Sequence, residues 1–316
     1  MSTRARGVVL LSVLLVLALL SALAWQLMGK HSLVIAQARF TFTGDQALEY
    51  ALGAETFARQ ILFEEWSRNG PTKDTLQEVW AQPTAPFEVD NGFLEVQVID
   101  MHRCFNLNSV AGSNWQPNLL RLKTLMRNLG MPDNLADAWR DWVDSDIEIT
   151  GFGAEDGEYL GEAVSYRTAN SPAAHASELR LIRGIEAEHL ELLESHVCVL
   201  PSTELKVNVN TAGPAVLAAM SPALTPAQVE AFTDAVRDYD DVSTVTAEFP
   251  DLTPAVDALT VNSEYFRVNV RAQVDDSQVE LSSLLRRDPS SGRIELINRD
   301  LGRNFRSLFT AQEEDA

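Results

Sequence analysis

An uncharged apolar segment close to the N-terminus constrains the fold of this chain more than any other sequence feature. From Val8 to Trp25 there are eighteen residues without a charge, and Ser12 and Ser21 are the only polar ones. With the three residues that follow, the segment is long enough to cross the ~30 Å hydrocarbon layer of a membrane. Arginines precede it, so the positive-inside rule predicts a cytoplasmic N-terminus, with the remaining ~285 residues on the opposite side.

Three fates of this segment are compatible with its residues. A secretory signal peptide would be cut at a small-x-small site, and residues 21–24 (SALA) offer one. A plain membrane anchor would stay uncut. A type IV prepilin leader is a short basic stretch that ends in glycine, and here it would be cut between Gly7 and Val8.

The helix predicted for the membrane continues beyond it. From His31 to Asn69 there is no proline, and only Gly44 and Gly53 interrupt the sequence. Apolar residues recur with the spacing of one helix face. They are Leu48, Ala51, Leu52, Ala54, Phe57, Ala58, Ile61, Leu62 and Trp66. The pattern predicts a single helix of ~55 residues, ~80 Å long, that ends at the NGP sequence of residues 69–71.

Strand patterns lie on both sides of a long helical region. Apolar and polar residues alternate at 92–99 and again in three stretches after Glu264, which predicts four strands. The three later stretches are Tyr265–Val274, Gln278–Leu285 and Arg293–Ile297, separated by turn sequences at 275–276 and 289–292. The sequence therefore predicts an α+β fold in which a pilin-like long N-terminal helix packs on a small antiparallel sheet, interrupted by a large inserted all-α domain.

This pattern divides the chain into four parts. They are a leader at 1–7, a transmembrane helix at 8–28, an α+β domain formed by 29–102 and 262–316, and an inserted helical domain at 103–261. The acidic tail Gln312–Ala316 is expected to fray.

The inserted region contains a weak internal repeat. Residues 105–112 (FNLNSVAG) resemble residues 207–214 (VNVNTAGP), and two helical runs follow each copy. The runs are 118–129 and 133–143 after the first copy, and 214–220 and 226–239 after the second. The Asn-x-Asn pattern is typical of turns and helix N-caps, so each copy predicts a helical hairpin of the SAM-like or helix-hairpin-helix kind.

Charge and motifs exclude several functions. The chain has 25 Lys and Arg against 45 Asp and Glu, a net charge of -20, whereas nucleic-acid binding needs a basic face. Near the second repeat the only cation between Asn210 and Asp241 is Arg237. No zinc-protease HExxH motif, phosphate-binding glycine loop or nucleophile triad is indicated. We therefore expect no enzymatic activity.

The two cysteines allow three interpretations. Cys104 and Cys198 each follow a histidine by two residues, His102 and His196, so a zinc site of two histidines and two cysteines is one. Thiols outside the cytoplasm tend to oxidise, which favours a disulfide. A pair of buried free thiols is the third.

An acidic segment is the sharpest chemical signal. Residues 141–158 (DWVDSDIEITGFGAEDGE) hold seven carboxylates and no cation, and three glycines let the chain curl. Carboxylates so close repel unless they are solvated, protonated or bridged by a cation, and Ca²⁺ takes six to eight oxygens from flexible loops. An EF-hand is excluded because Ile149 stands where the tight turn needs glycine. A solvated acidic loop and a calcium site both remain open on these residues.

Four features occur together in this chain: a basic leader ending in Gly7, a long helix, a sheet interrupted by a helical insertion, and the ordered motifs FNLNS, DWVDSD, GAEDGEY and VNVNTA. In this combination nearly the whole chain resembles the minor pseudopilin K of bacterial type II secretion systems. Pilin-like subunits usually carry a glutamate five positions after the cleaved glycine. Here that position is Ser12, and the K class is similar in lacking the glutamate.

The resemblance implies a non-enzymatic subunit of the inner membrane with a periplasmic main domain. It would join the minor pseudopilins I and J at the tip of the pseudopilus, and would start or cap the filament on the inner-membrane assembly platform. It also implies calcium binding in the helical domain, with the motif placing ligands at Asp144, Asp146, Glu155 and Asp156 and Tyr159 closing the motif. Partner contacts are expected along the long helix, at Leu48, Leu52, Phe57 and Ile61.

The competing hypothesis is a single-span periplasmic binding or scaffold protein unrelated to a pilus. Such a protein would keep an uncut anchor and would form no complex with I- and J-type subunits.

Overall fold

The fold was analysed in a computed structural model that describes residues 3–70, 72–83 and 85–302. The predicted cleavage position, Gly7–Val8, falls in the first helix, but its side chains lie outside the described residues. The predicted acidic tail Gln312–Ala316 also lies outside them. Within the described part, one helix is long and apolar enough to cross a membrane, judged by length and composition alone.

That helix, α1, spans Thr3–Asn69 without a break. It ends where the sequence predicts, because Gly70 adopts a positive φ of 71° and donates its N–H to Trp66 O at 2.7 Å. Every side chain from Val9 to Phe42 is exposed. The helix therefore projects from the folded body over its first half, contacts it first through the ion pair of Arg39 with Asp275, and buries side chains from Thr43 onward.

A five-stranded antiparallel sheet packs against the second half of α1. In spatial order its strands are β1 Phe87–Val89, β2 Gly92–Asp100, β7 Tyr265–Val274, β8 Ser277–Arg287 and β9 Ile294–Leu301. The four strands numbered between β2 and β7 belong to the inserted region. The sequence pattern missed β1, since three residues after Pro86 are too short to show an alternation. It also began and ended β9 too early.

The strand register explains how the sheet accommodates an insertion. Strand β2 pairs with β7 from Gly92↔Val274 to Asp100↔Phe266. The chain therefore leaves β2 and returns to β7 at the same end of the sheet. All residues between these strands can form a separate body without disturbing the ladder.

Small side chains let α1 lie close to the sheet. Ala47, Ala51, Ala54 and Ala58 are buried against the apolar inner face of β7 and β8. Glu55 lies in the same interface, where Arg299 of β9 binds its carboxylate at 2.6 and 2.9 Å. Burial raises the pKa of Glu55, but the hydrogen bonds from Arg299 and Ser283 outweigh it and lower the pKa overall. The ion pair thus fixes the edge strand to the helix.

The inserted body has its own hydrophobic core, formed by short helices. They are α2 Trp115–Asn128, α3 Leu135–Val143, α4 Asp156–Tyr159, α5 Ala187–Glu194, α6 Pro214–Met220, α7 Pro226–Asp234 and α8 Val242–Glu248. Four 3₁₀ helices of three to nine residues and two pairs of two-residue strands complete the described part of this body. The strand pairs are β3 Phe105–Asn106 with β4 Val197–Cys198, and β5 Val207–Asn208 with β6 Leu259–Thr260.

The internal repeat is visible in the hydrogen bonds of its asparagines. Asn108 holds Ala173 through both the backbone N–H and C=O of that residue, at 2.8 and 2.9 Å. Asn210 holds Tyr239 in the same way, at 2.9 and 3.0 Å. Both strand pairs are parallel. In each copy the first strand therefore pairs with the last, and one asparagine binds the backbone of a loop between them. We call the loop that contains Ala173 or Tyr239 the crossing loop of its copy.

Cys104 and Cys198 form a disulfide at the base of the first copy. It stands beside the β3–β4 pair, so it joins the two ends of this copy. Around it lies a small apolar cluster that includes Met101, Leu200 and Tyr265 at the junction with the sheet.

Candidate calcium site and partner surface

Helix α3 presents three buried carboxylates on one face. Asp137, Asp141 and Asp144 follow one another at spacings of four and three residues, so they lie along the same side of the helix. All three are at least 96% buried. The Lys123 ammonium lies 2.6 Å from Asp137, and the Arg140 guanidinium lies 3.1 Å from Asp144.

Two of these carboxylates hold the loop that follows the helix. Asp141 accepts the Thr150 backbone N–H at 2.9 Å, and Asp137 accepts that of Phe152 at 3.3 Å. The glycines of this loop allow the approach, because a Cβ on Gly151 would stand 2.7 Å from Asp137, and one on Gly153 would collide with Asp141. This role of Asp137 and Asp141 was not predicted from the sequence. Their helical spacing upstream of a glycine-rich loop was the available signal.

The loop brings three predicted ligands together. One carboxylate oxygen from each of Asp144, Asp146 and Glu155 lies within 4.8 Å of the other two. Both oxygens of Asp144, one oxygen of Glu155 and one of Asp141 are buried and accept no hydrogen bond from the described residues, although one Asp144 oxygen has the ion pair with Arg140. Buried, unsatisfied carboxylate oxygens are costly, and a hard cation would satisfy them. The donor set therefore fits Ca²⁺.

The electrostatics of the site point the same way. Burial, followed by the charges of Asp141 and Asp144, raises the pKa of Glu155 to about 7. Burial also raises the pKa of Asp141 to about 6 and that of Asp144 above its ordinary value. Burial is the largest cause for all three carboxyl groups, and a bound cation would stabilise their charged forms.

The structure engages the other two predicted residues differently. One oxygen of Asp156 binds Arg167 at 2.8 Å, and the other accepts hydrogen bonds from Thr168. Tyr159 is fully buried, and its ring packs against Trp142 with the centroids 5.6 Å apart. Burial raises the Tyr159 pKa to about 12. In this arrangement Asp156 binds the chain at Arg167 and Thr168, beyond the site, and Tyr159 packs α4 into the core.

The four residues predicted for partner contacts divide between two environments. Leu52 and Ile61 are half-buried and pack against the core between α1 and the sheet, and Leu48 is half-buried. Phe57 is 54% exposed, and its ring lies edge-on to Phe87 of β1 with the centroids 6.4 Å apart. Phe57 and Phe87 thus form an exposed aromatic pair beside the sheet, whereas Leu52 and Ile61 contribute to the core.

Comparison with known proteins yields one family throughout. The sequence model of a family described as "Type II secretion system (T2SS), protein K" matches residues 103–202, a range that nearly coincides with the disulfide-closed copy. "Type II secretion system protein K" of Pectobacterium carotovorum is 32% identical over 96% of this chain and 98% of its own length. Its counterpart in Pseudomonas aeruginosa is 34% identical over 94% of this chain and 92% of its own length.

A solved structure is similar as well. It is a chain from "The Crystal Structure of the GspK-GspI-GspJ complex from enterotoxigenic Escherichia coli Type 2 Secretion System", with a TM-score of 0.76 and 25% identity. The match covers 85% of this chain and all of the other. The α+β fold with its long N-terminal helix is thereby confirmed, and the chain belongs to the type II secretion system protein K family.

Proposed function

We propose that this chain is a minor pseudopilin at the tip of the type II secretion pseudopilus, where it starts or caps the filament together with I- and J-type minor pseudopilins. The observation that carries the proposal is the likeness, over 85% of the chain, to a component of a solved GspK-GspI-GspJ complex. The role requires no catalysis, and assembly of the filament is the function.

The shape of the molecule supports a terminal position. In a filament of pilin-like subunits, neighbours pack around the projecting helices. Here the inserted body follows β2 and adds more than 150 residues beside the sheet, between Met101 and Glu264. A body of that size is compatible with the end of a filament, where no subunit lies ahead, and would clash with the packing of a uniform shaft.

The membrane arrangement is part of the same proposal. The exposed apolar length of α1 anchors the chain in the bacterial inner membrane, with a cytoplasmic N-terminus and a periplasmic main domain. A prepilin peptidase cuts between Gly7 and Val8. Ser12 then replaces the usual glutamate, whose charge would need a partner from a subunit ahead.

Two surfaces serve this role. The exposed half of α1 and the aromatic pair of Phe57 and Phe87 contact the other minor pseudopilins. Asp144, Asp146 and Glu155 bind Ca²⁺ and thereby hold the loop after α3 in place. The carboxylates supply oxygen ligands in a site held in shape by Asp137 and Asp141, and the ion would supply the positive charge that they need.

The proposal is tested by the N-terminal sequence and intact mass of the protein from native membranes, followed by reconstitution with I- and J-type subunits. We expect a mature chain that starts at an N-methylated Val8, and a complex of one copy of each subunit. An intact Met1 or a start at Trp25, together with no complex, would instead support the single-span periplasmic scaffold.

A further inference from the structure

Strand β2 has an unpaired stretch on one side of the sheet. Strand β1 pairs only with Gly92–Leu94 of β2. The pairing stops at Phe87, opposite Leu94, because the preceding residue, Pro86, has no N–H to donate. Among the described residues, the strand backbone of Val96–Ile99 therefore pairs only with β7. Proteins usually protect such an edge with lysine, proline or a bulge. Val96–Ile99 contains none of these residues, and its register with β7 is regular.

A cleft of about 170 Å³ runs along this unpaired stretch. One wall is the strand itself, from Val96 to Asp100, and the other is the segment that carries Leu76 and Trp80. The Trp80 wall is rigid, since its ring packs edge-on against Phe266 at 5.3 Å and its Nε1–H donates to Glu78 at 2.6 Å. An apolar cavity of about 150 Å³ suffices for benzene, so the cleft has room for one aromatic side chain.

A cation stands at the end of the cleft. Arg103 belongs to the 3₁₀ turn that follows β2, lines the cleft and is exposed. It makes no ion pair with any described residue, although the chain carries 45 acidic residues. The charge of Arg103 also acts on a neighbouring residue. Burial is the largest cause that lowers the pKa of Arg237, and repulsion from Arg103 is the next. The exposed guanidinium of Arg103 can therefore bind a carboxylate, whereas the carboxylate of Asp100, which also lines the cleft, is buried and accepts hydrogen bonds from Asn208 and Thr211.

We propose that this cleft binds an extended peptide segment of another protein, which adds as a strand to β2 at the half-exposed Val96–Ile99, places one aromatic side chain between β2 and Trp80, and sets a carboxylate against Arg103. Backbone pairing at an open edge gives such a complex its affinity, and the pocket and the charge give it selectivity. The cleft is lined by no described residue of α1, of the Phe57–Phe87 pair or of the α3 carboxylates, so this proposal does not depend on either of the two surfaces described above.

The test uses the full chain in detergent micelles and two fluorescein-labelled, amidated hexapeptides that alternate threonine and valine with phenylalanine at the third position. One peptide ends in aspartate and the other in lysine, and fluorescence anisotropy measures their binding. We expect the aspartate peptide to bind about tenfold more tightly, as a charge-assisted contact would provide. Hydrogen exchange should slow at residues 95–100 when this peptide is bound and should not slow with the lysine peptide.

Charge reversal provides the matched comparison. Arg103→Glu should invert the preference between the two peptides, whereas Arg293→Glu, at an exposed arginine near β9, should leave it unchanged. Thermal melting of both variants shows whether they fold. If Arg103→Glu does not fold, Arg103→Gln replaces it, and this variant should abolish the preference between the peptides without adding a new charge. Equal affinities, no detectable binding up to the solubility limit, or protection elsewhere than residues 95–100 would overturn the proposal.

Discussion

At the scale of single residues, the carboxylates after α3 lead to a prediction about cation binding. Glu155→Gln removes a charge from the proposed site but keeps the size of the side chain. In calcium, the wild-type chain should gain about 2.7 kcal/mol when the free ion is a hundredfold above its Kd, and the variant should lose most of that gain. Thermal melting with EDTA and with added Ca²⁺ measures both effects.

The control for this prediction is Asp133→Asn, at a carboxylate half-exposed beside Arg127. It should melt like the wild type in both solutions. If EDTA and Ca²⁺ leave the wild-type melting temperature unchanged, the residues hold a solvated acidic loop and no cation site.

A second residue-scale prediction concerns pH. Burial raises the pKa of Glu78 from 4.5 to about 7, although Trp80 donates a hydrogen bond to it. A carboxyl group whose pKa is higher in the folded state favours folding while it is protonated. Its contribution is therefore complete below pH 4.5 and is lost as the pH rises through about 7.

The measurement is denaturant unfolding of the wild type and of Glu78→Gln between pH 4.5 and 8. The stability of the wild type relative to the variant should fall as the pH rises through this range. A constant difference would mean that Glu78 has an ordinary pKa in the folded chain.

The sequence could predict the residues near the acidic loop but not all of their roles. The density of carboxylates in 141–158 was visible, and so was their need for a cation. Whether a carboxylate faces a cation or a backbone N–H depends on how the loop returns to α3. That path separates Glu155, which joins Asp144, from Asp156, which binds Arg167.

At the scale of elements, the disulfide should determine the stability of the inserted body. Cys104 and Cys198 are 94 residues apart, and a closed loop of that length restricts the unfolded chain by about 4 to 5 kcal/mol. The double variant Cys104→Ser, Cys198→Ser should lose up to that amount in denaturant unfolding. If reduction of the wild type with dithiothreitol costs nothing, the cross-link has no such role.

Elements with a long, regular pattern were predictable, and elements fixed by tertiary contacts were not. The end of α1, the strand β7 and the helix α6 were predicted correctly, because glycine, alternation or an N-terminal proline marks each in the local sequence. Helix α7 stops at Asp234, five residues before its predicted end. The reason is that Asn210 binds the backbone of Tyr239 from outside the helix and holds it in the crossing loop.

At the scale of the whole molecule, a buried polar network joins the inserted body to the sheet. Asp100, the last residue of β2, accepts hydrogen bonds from Asn208 and Thr211 of the second repeat copy. Asn208 also donates to the backbone of Asp74, whose carboxylate binds Arg287 of β8. Side chains from four distant parts of the sequence meet here, which is why sequence pattern alone could not indicate the network.

This network leads to a prediction about cooperativity. Arg287→Met leaves the buried carboxylate of Asp74 without its cation, which should cost about 3 to 5 kcal/mol. The cores of the two bodies are separate, so the loss falls on their junction. Calorimetry of the full chain in detergent should change from one transition to two, and calcium should raise only the transition of the inserted body. Arg286→Met, which breaks a half-exposed pair with Glu264, should keep a single transition. If Arg287→Met also unfolds in one step that calcium shifts as a whole, the disulfide and the apolar cluster around it suffice to couple the two bodies.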